Sequence, residues 1–268
     1  MARPMMPRVQ FNWLRRGFER NLSVVVVLIL WEITTRFGVF NNFLLPPLSK
    51  VLVRGWLDLL DGEIPRQVLA TGTLTLVGFA LAALTGVAAG ALMSMSAIAR
   101  RILEPLVSVA FPIPKISFLP IFILWFGLGD VSKIMMIAFT CVVPIISATF
   151  LGTTTVDKYF LWSAQNLGTK RHALFWKVII PAAAPQILSG LQVALPLALI
   201  IAVVTEMLTG GDGLGGYMIH AVRFAQSDKV FAGLLATLLT GMVFIQGFAW
   251  LRARLLIWHA ESAVVGVT

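Results

Sequence analysis

The stretch WSAQNLGTKRHALFWKVIIP, residues 162–181, lies between two long apolar runs and is too polar to sit in a bilayer. It reads as two short helices meeting at Gly168, the second stopped by Pro181. Thr155 is placed to N-cap the first helix, with Asp157 in its first turn. Val156, Tyr159, Phe160, Ala164 and Leu167 then fall on one face at helical spacing. Thr169 is placed to cap the second helix, on which Lys170, Arg171 and Lys177 cluster. The pattern predicts a helix–glycine–helix hairpin, and the flanking runs decide what carries it.

Those runs belong to a membrane protein. The 268-residue chain is 58% hydrophobic and only 12% charged, with a mean hydropathy of +0.89, whereas soluble domains carry about 25% charged residues. The apolar residues come in solid runs of roughly 20, the length that crosses a bilayer. A transmembrane β-barrel would alternate apolar and polar positions instead. The fold expected is all-α and polytopic, with about six transmembrane helices and the hairpin outside the bilayer. The net charge of +9 fits Lys and Arg concentrated in cytoplasmic loops; no pattern accompanies it that would bind nucleic acid. A single cysteine, Cys141, leaves no intrachain disulfide or cysteine metal cluster. His172, His220 and His259 lack ligand-like spacing, so no metal, catalytic or cofactor site is expected on this chain.

In chain order, residues 1–21 form a basic N-terminal segment with Arg3, Arg8, Arg15, Arg16 and Arg20, followed by a first span at about 22–40 in which Glu32 and Arg36 pair at i,i+4. An external loop with a short amphipathic helix fills 41–70. The second span, about 71–95, carries Gly86 and Gly90 at a small-residue spacing suited to close helix approach. Ala99-Arg100-Arg101 marks a cytoplasmic turn. The third span, about 105–128, is interrupted at Phe111-Pro112-Ile113-Pro114-Lys115 and Pro120. Broken backbone at membrane depth lines a wet cavity or is buried in protein; the other reading is a kinked helix that begins deeper. Further spans fall at about 131–151, 186–208 and 230–251, with a cytoplasmic loop at 152–184 and a tail at 259–268. Together, residues 22–258 make one membrane domain.

Charge sets the orientation. With both termini inside, the cytoplasmic segments hold 13 Lys and Arg: five before the first span, Arg100 and Arg101, four in 158–177, and Arg252 and Arg254. The external segments hold seven: Arg36, Lys50, Arg54, Arg66, Lys133, Arg223 and Lys229. The excess places the hairpin in the cytoplasm. Glu206, near a span end, is either a pathway residue or an interfacial one. Gly213, Gly215 and Gly216 lie in a Gly-rich external loop that either hinges or closes a gate.

Gly168, nine residues, then Val178-Ile179-Ile180-Pro181 resembles the cytoplasmic motif of ATP-binding-cassette importer permeases, E-A-A, three residues, G, nine residues, I-x-L-P. LLPPLSKVL (44–52), LEPLVSVAFPIPKISFLPIFILWFGLGD (103–130) and TEMLTGGDGLGGYM (205–218) resemble the nitrate/sulfonate/taurine-type permeases in order and spacing, from about residue 40 to 258. The resemblance implies a permease subunit of the bacterial inner membrane that imports a small solute, an anion such as nitrate, a sulfonate or taurine. It implies a dimer of this chain or with a close paralogue, set in membrane lipid, two ATPase subunits holding ATP and Mg, and a periplasmic or lipid-anchored solute-binding protein. The coupling residues it implies are Trp162, Ser163, Ala164, Gln165, Asn166, Leu167, Gly168, Lys170 and Arg171; Phe111, Pro112, Pro114, Lys115 and Glu206 would line the pathway. Trp162 stands where the family has Glu. Phe111 and Lys115 stand where Arg and an apolar residue or proline are common, so Lys115 either alters what passes or snorkels to the interface.

The chain has no G-x-x-x-x-G-K-[ST], so energy from ATP must reach it from another subunit. An ion-coupled carrier is the alternative; it needs intramembrane carboxylates and paired broken-helix repeats. Only Glu32 and Glu206 come near, and the second half does not repeat the first. An intramembrane enzyme would need a Ser–His or His–Asp constellation inside the spans, and all three histidines lie outside them.

Overall fold

A computed structural model describes residues 12–38, 41 and 43–257, leaving aside the side chains of 12–21 and 171–172. The expected tail at 259–268 and the first eleven residues of the basic segment lie outside the described residues. The described chain folds as α-helices: α1 (Asn12–Arg36), α2 (Leu48–Leu60), α3 (Glu63–Met95), α4 (Ala97–Ala110), α5 (Leu119–Phe126), α6 (Asp130–Thr154), α7 (Lys158–Asn166), α8 (Arg171–Leu174), α9 (Ile180–Thr209), α10 (Leu214–Arg223) and α11 (Ser227–Leu255). Among the described residues, four stretches are long and apolar enough to cross a membrane: α3, α6, the run Phe175–Arg223 and α11, with α4 and α5 as a bent pair that would make a fifth. The apolar stretch of α1 is shorter, bounded by Glu19 and Arg20 before it and Glu32 and Arg36 after it. It stands largely exposed, tied to the start of α2 where Trp31 Nε1 donates to the Pro46 carbonyl (3.0 Å) and Ser49 donates to Glu32.

The core is α3, α6 and α9, packed side by side. Their contact is made by Leu74 and Ala82, by Ile137, Ala138, Cys141 and Ile145, and by Ala194, Ala198 and Ala202. In a bilayer the tails are as apolar as leucine, so helices associate through close fit rather than through exclusion of water. The sequence supplies that fit with small residues. Gly86 and Gly90 face Ile145 and Thr149 of α6, and a Cβ at either would sit within 3 Å of them. The small-residue spacing in α3 therefore serves packing inside the subunit. At one end, α2, α10 and α11 gather around Ile64, Leu199, Leu214, Tyr217 and Met218, while α5 lies on α6 through Leu119, Phe122 and Met136.

Several element boundaries depart from the sequence reading. The second span begins at Glu63, after Gly62 in a left-handed conformation, because Pro65 falls in the first turn, where its missing N–H breaks nothing. At 33 residues, about 50 Å, α3 outreaches the bilayer and absorbs the end of the expected loop. Arg100 and Arg101 are in α4, not in a turn; the helix is interrupted at Ser96, whose extended backbone separates α3 from α4 and whose hydroxyl accepts from Ala99 N–H. The third span is no simple kink, since its two halves meet at 101° across residues 111–114. Pro181 does not end a helix. The chain runs through α8 and a π-helical turn, Phe175–Ile179, straight into α9 with the proline at its N-terminus. The widened turn accommodates the ring and the missing N–H that would break a regular ladder. Beyond the 210–213 turn, the expected external loop is helical from Leu214, burying Gly215 and Gly216 in α10.

Candidate functional site

Two places at opposite ends of α9 concentrate the polar and exposed apolar groups. The first is the hairpin. Its first arm, α7, is capped by Asp157, whose carboxylate accepts from Tyr159 N–H (2.9 Å); Thr155 instead bonds back to Leu151 at the end of α6. Trp162, Ser163, Ala164, Gln165 and Asn166 form its last turns, and Leu167 closes it. Gly168 has φ +82°, a left-handed position that turns the chain toward α8 and disfavours a side chain. Thr169 N–H closes the turn onto the Ala164 carbonyl (3.0 Å). Lys170, not Thr169, occupies the cap position of α8, without a side-chain bond. The side chain of Arg171 lies outside the described residues.

Leu174 and Phe175 are buried and anchor the hairpin. The rest of its apolar surface faces outward. Tyr159, Phe160, Trp162, Leu167 and Trp176 are all exposed, Leu167 at 85%, and only Val156 and Ala164 of the predicted apolar face are even half covered. Tyr159 and Trp162 stack edge to face, ring centroids 5.7 Å apart. An apolar patch this large on a polar insert is the mark of a surface that another chain completes.

The second place is the turn Gly210–Gly213. Glu206 is fully buried, so it is no interfacial group. Its Oε2 accepts from Thr71 Oγ1 and from Gly215 N–H, both at 2.9 Å, while Oε1 is buried without a hydrogen bond. The Thr71 hydroxyl oxygen in turn accepts from Leu214 N–H (2.8 Å), and Gln67 Oε1 accepts from Gly213 N–H (2.6 Å). Gly213 has φ +117°, and a Cβ there would collide with the Glu206 carboxyl group. Arg66 pairs with Asp212 (3.1 Å), and Lys133 Nζ reaches the Gly210 carbonyl (3.5 Å). The Gly-rich turn is thus tied to α3, α6 and α9 by side chains from each. Beside it, Asp58 is buried, paired with Arg54 (3.0 Å) and accepting from the Tyr217 hydroxyl (2.5 Å).

The residues expected to line a pathway are held in different networks. Phe111, Pro112 and Pro114 are exposed in the turn between α4 and the α5 segment, and Lys115 folds back onto the Phe111 carbonyl (3.4 Å) and lies over its ring. Glu206 bonds instead into α3 and α10. Sequence reasoning missed Gln67, Thr71 and the burial of Asp58 and Lys133. The Arg54–Asp58 spacing of four was visible, but nothing local signals that the N–H of Leu214 will need a threonine 143 positions away.

Membrane-length helices around a small-residue core, with an uncovered hairpin at one end, define a multi-pass α-helical membrane protein. The family model described as "Binding-protein-dependent transport system inner membrane component" matches residues 78–257, and the chain belongs to that family, the permease subunits of ABC importers. It is similar to the taurine transport system permease protein TauC of Escherichia coli (strain K12), 29% identical with 95% of each chain covered. It is also similar to the putative aliphatic sulfonates transport permease protein SsuC of Bacillus subtilis (strain 168), 33% identical over 91% of this chain and 89% of that one. Among solved structures, a chain of the MetNI methionine ABC transporter in inward-facing conformations shares the fold, with a TM-score of 0.55 at 17% identity, covering 68% of this chain and 94% of that one. The family-model match begins inside α3, so the second half of α3, all of α6 and α9, and the hairpin fall within it.

Proposed function

We propose that this permease carries a small organic sulfonate or taurine-like solute across the bacterial inner membrane, driven by ATP hydrolysed on separate ATPase subunits that dock on the 158–176 hairpin. The observation that carries the reading is the exposed apolar surface of that hairpin, from Tyr159 to Trp176, on a segment whose helix continues without a break into α9. The charge distribution supports a hairpin and both termini on the cytoplasmic side. Two copies of the chain, or this chain with a close paralogue, form the pathway; a solute-binding protein delivers the solute from outside. The substrate class rests on the names of the taurine and sulfonate relatives.

Trp162 sets this dock apart from one built on an acidic contact, because it presents an aromatic face where a carboxylate would form an ion pair. Tyr159, Phe160 and Leu167 extend the same patch, so apolar packing carries the contact. Aromatic anchors of this kind dominate interface energies. The hairpin's movement with ATPase closure then turns α9 between two arrangements of the bundle.

The test is uptake of labelled taurine and ethanesulfonate into proteoliposomes holding the permease with its ATPase and binding protein. Uptake is expected to require ATP. Gly168→Pro, which denies the turn its positive φ, and Ala164→Asp, which puts a charge on the half-covered side of α7, are expected to insert normally yet abolish ATP-driven uptake. Normal uptake by both variants would remove the hairpin as the coupling element, and uptake by the permease alone without ATP would sink the importer mechanism.

A further inference from the structure

We propose that the cleft between the ends of α3, α6 and the 210–212 turn is a solute subsite of the permease, in which Lys133 holds the anionic group of the solute and Asp130 the ammonium of a zwitterionic one. The inference rests on the importer function proposed above and adds to it a place where the solute meets this chain.

The cleft has a volume of about 410 Å³ and is lined by Thr73, Asp130, Lys133, Thr209, Gly210 and Gly211, among others. That volume falls within the roughly 300–1,000 Å³ of small-molecule sites. Lys133 is its unusual member. The residue is only 3% exposed, on the first turn of a membrane-length helix, and a buried cation in such a place is costly unless it is paired or used. Its partners are distant: Asp130 Oδ1 at 3.5 Å and the Gly210 carbonyl at 3.5 Å. Charge-assisted contacts that satisfy an ammonium are markedly shorter, about 2.7–2.9 Å. The same molecule shows what a closed pair looks like. Lys229 Nζ lies 2.8 Å from both oxygens of Glu63.

Asp130 is 72% exposed along its side chain, so it offers most of its carboxylate to the cleft and to solvent. A cation and an anion one helical turn apart present a matched pair to a solute carrying both charges on a short linker. Two threonine hydroxyls beside them supply neutral contacts. Gly211 lies beside the Lys133 ammonium, and its φ of +93° disfavours a side chain. Asp212 also lines the cleft and is paired with Arg66 (3.1 Å), and Lys133 is the cation among the lining residues.

Two probes separate the roles of the charges: taurine, with both groups, and ethanesulfonate, which lacks the ammonium. Uptake of each is measured in the reconstituted complex, together with ATP hydrolysis stimulated by solute-loaded binding protein and the permease's melting temperature in detergent. Asp130 is solvated, so Lys133→Met does not strand its charge, while Lys133→Arg keeps a cation within electrostatic reach of the buried Glu206 carboxyl group. Lys133→Met is expected to lower uptake of both probes about tenfold, the loss of one charge-assisted bond, with stimulated hydrolysis and melting unchanged; Lys133→Arg is expected to restore much of the uptake. Asp130→Asn is expected to slow taurine while sparing ethanesulfonate. Wild-type uptake of both probes by Lys133→Met would overturn the proposal. So would a parallel loss of melting temperature and stimulated hydrolysis, which would make Lys133 a structural tie to Gly210. A wild-type complex that carries neither probe fails the substrate assignment itself, and the subsite falls with it.

Discussion

The hairpin and the Gly-rich turn sit at opposite ends of α9 and are built in opposite ways. The turn buries polar groups and ties most of them together from within: Glu206 Oε2, Thr71, Gln67 and three backbone N–H groups form one knot among helices distant in sequence, while Glu206 Oε1 has no hydrogen bond. The hairpin exposes apolar groups and leaves them uncovered, with Leu167, Tyr159, Phe160 and Trp162 facing outward. A buried polar network stabilises only when its members are paired, and then it fixes geometry. An exposed apolar patch gains its free energy only when a partner covers it. One end is held together mainly by the subunit's own polar groups; the other leaves an apolar surface open.

Substitutions can break this contrast, and the largest effect is expected in the knot. Gly213→Val demands a positive φ from a β-branched residue and drives its Cβ into the Glu206 carboxyl group. A loss of about 4 kcal/mol or more, read as a permease that no longer purifies as a folded species in detergent, is the expected outcome; a normal melting temperature would mean that the knot is loose. Thr71→Val keeps the shape but strands Leu214 N–H and removes a donor from Glu206, which is expected to cost about 2–3 kcal/mol. A thermal melt in detergent measures it, and a neutral result would show that water replaces the hydroxyl.

The smallest stability effect is expected at the hairpin. Leu167→Ser removes an exposed side chain and is expected to shift stability by no more than about 0.5 kcal/mol. The same change is expected to weaken ATPase binding by about 1–2 kcal/mol, measured by titrating purified ATPase onto the permease in nanodiscs. A large melting shift with unchanged ATPase affinity would reverse the comparison, making Leu167 part of the subunit's own packing.

What could be read in the chain follows the range of the interaction behind it. Helical spans, the hairpin and its turn at Gly168 are written in neighbouring residues, through runs of apolar side chains and one glycine with positive φ. The caps were misassigned because Thr155 and Thr169 compete with near neighbours: Thr155 bonds back into α6, and Asp157 takes the cap with its own carboxylate. Pro181 misleads for a related reason. A proline breaks a regular helix, but the π turn before it changes the ladder into one that tolerates the ring. The knot was beyond reach because its pairs, such as Gln67 with Gly213, lie 146 positions apart. Glu206 stood out by its charge, but its burial and its partners arise only from the folded bundle.

A continuous helical passage from Phe175 to Thr209 joins the two ends. About 35 residues of helix span roughly 50 Å, so a tilt of about 5° imposed at the hairpin displaces the far end by about 4 Å. That far end is Glu206 and the turn it holds, beside the cleft of Lys133. Under the coupling proposed above, α9 would act as a connecting rod, and the π turn at Phe175–Ile179 and the internal prolines Pro185 and Pro196 are where that rod would bend.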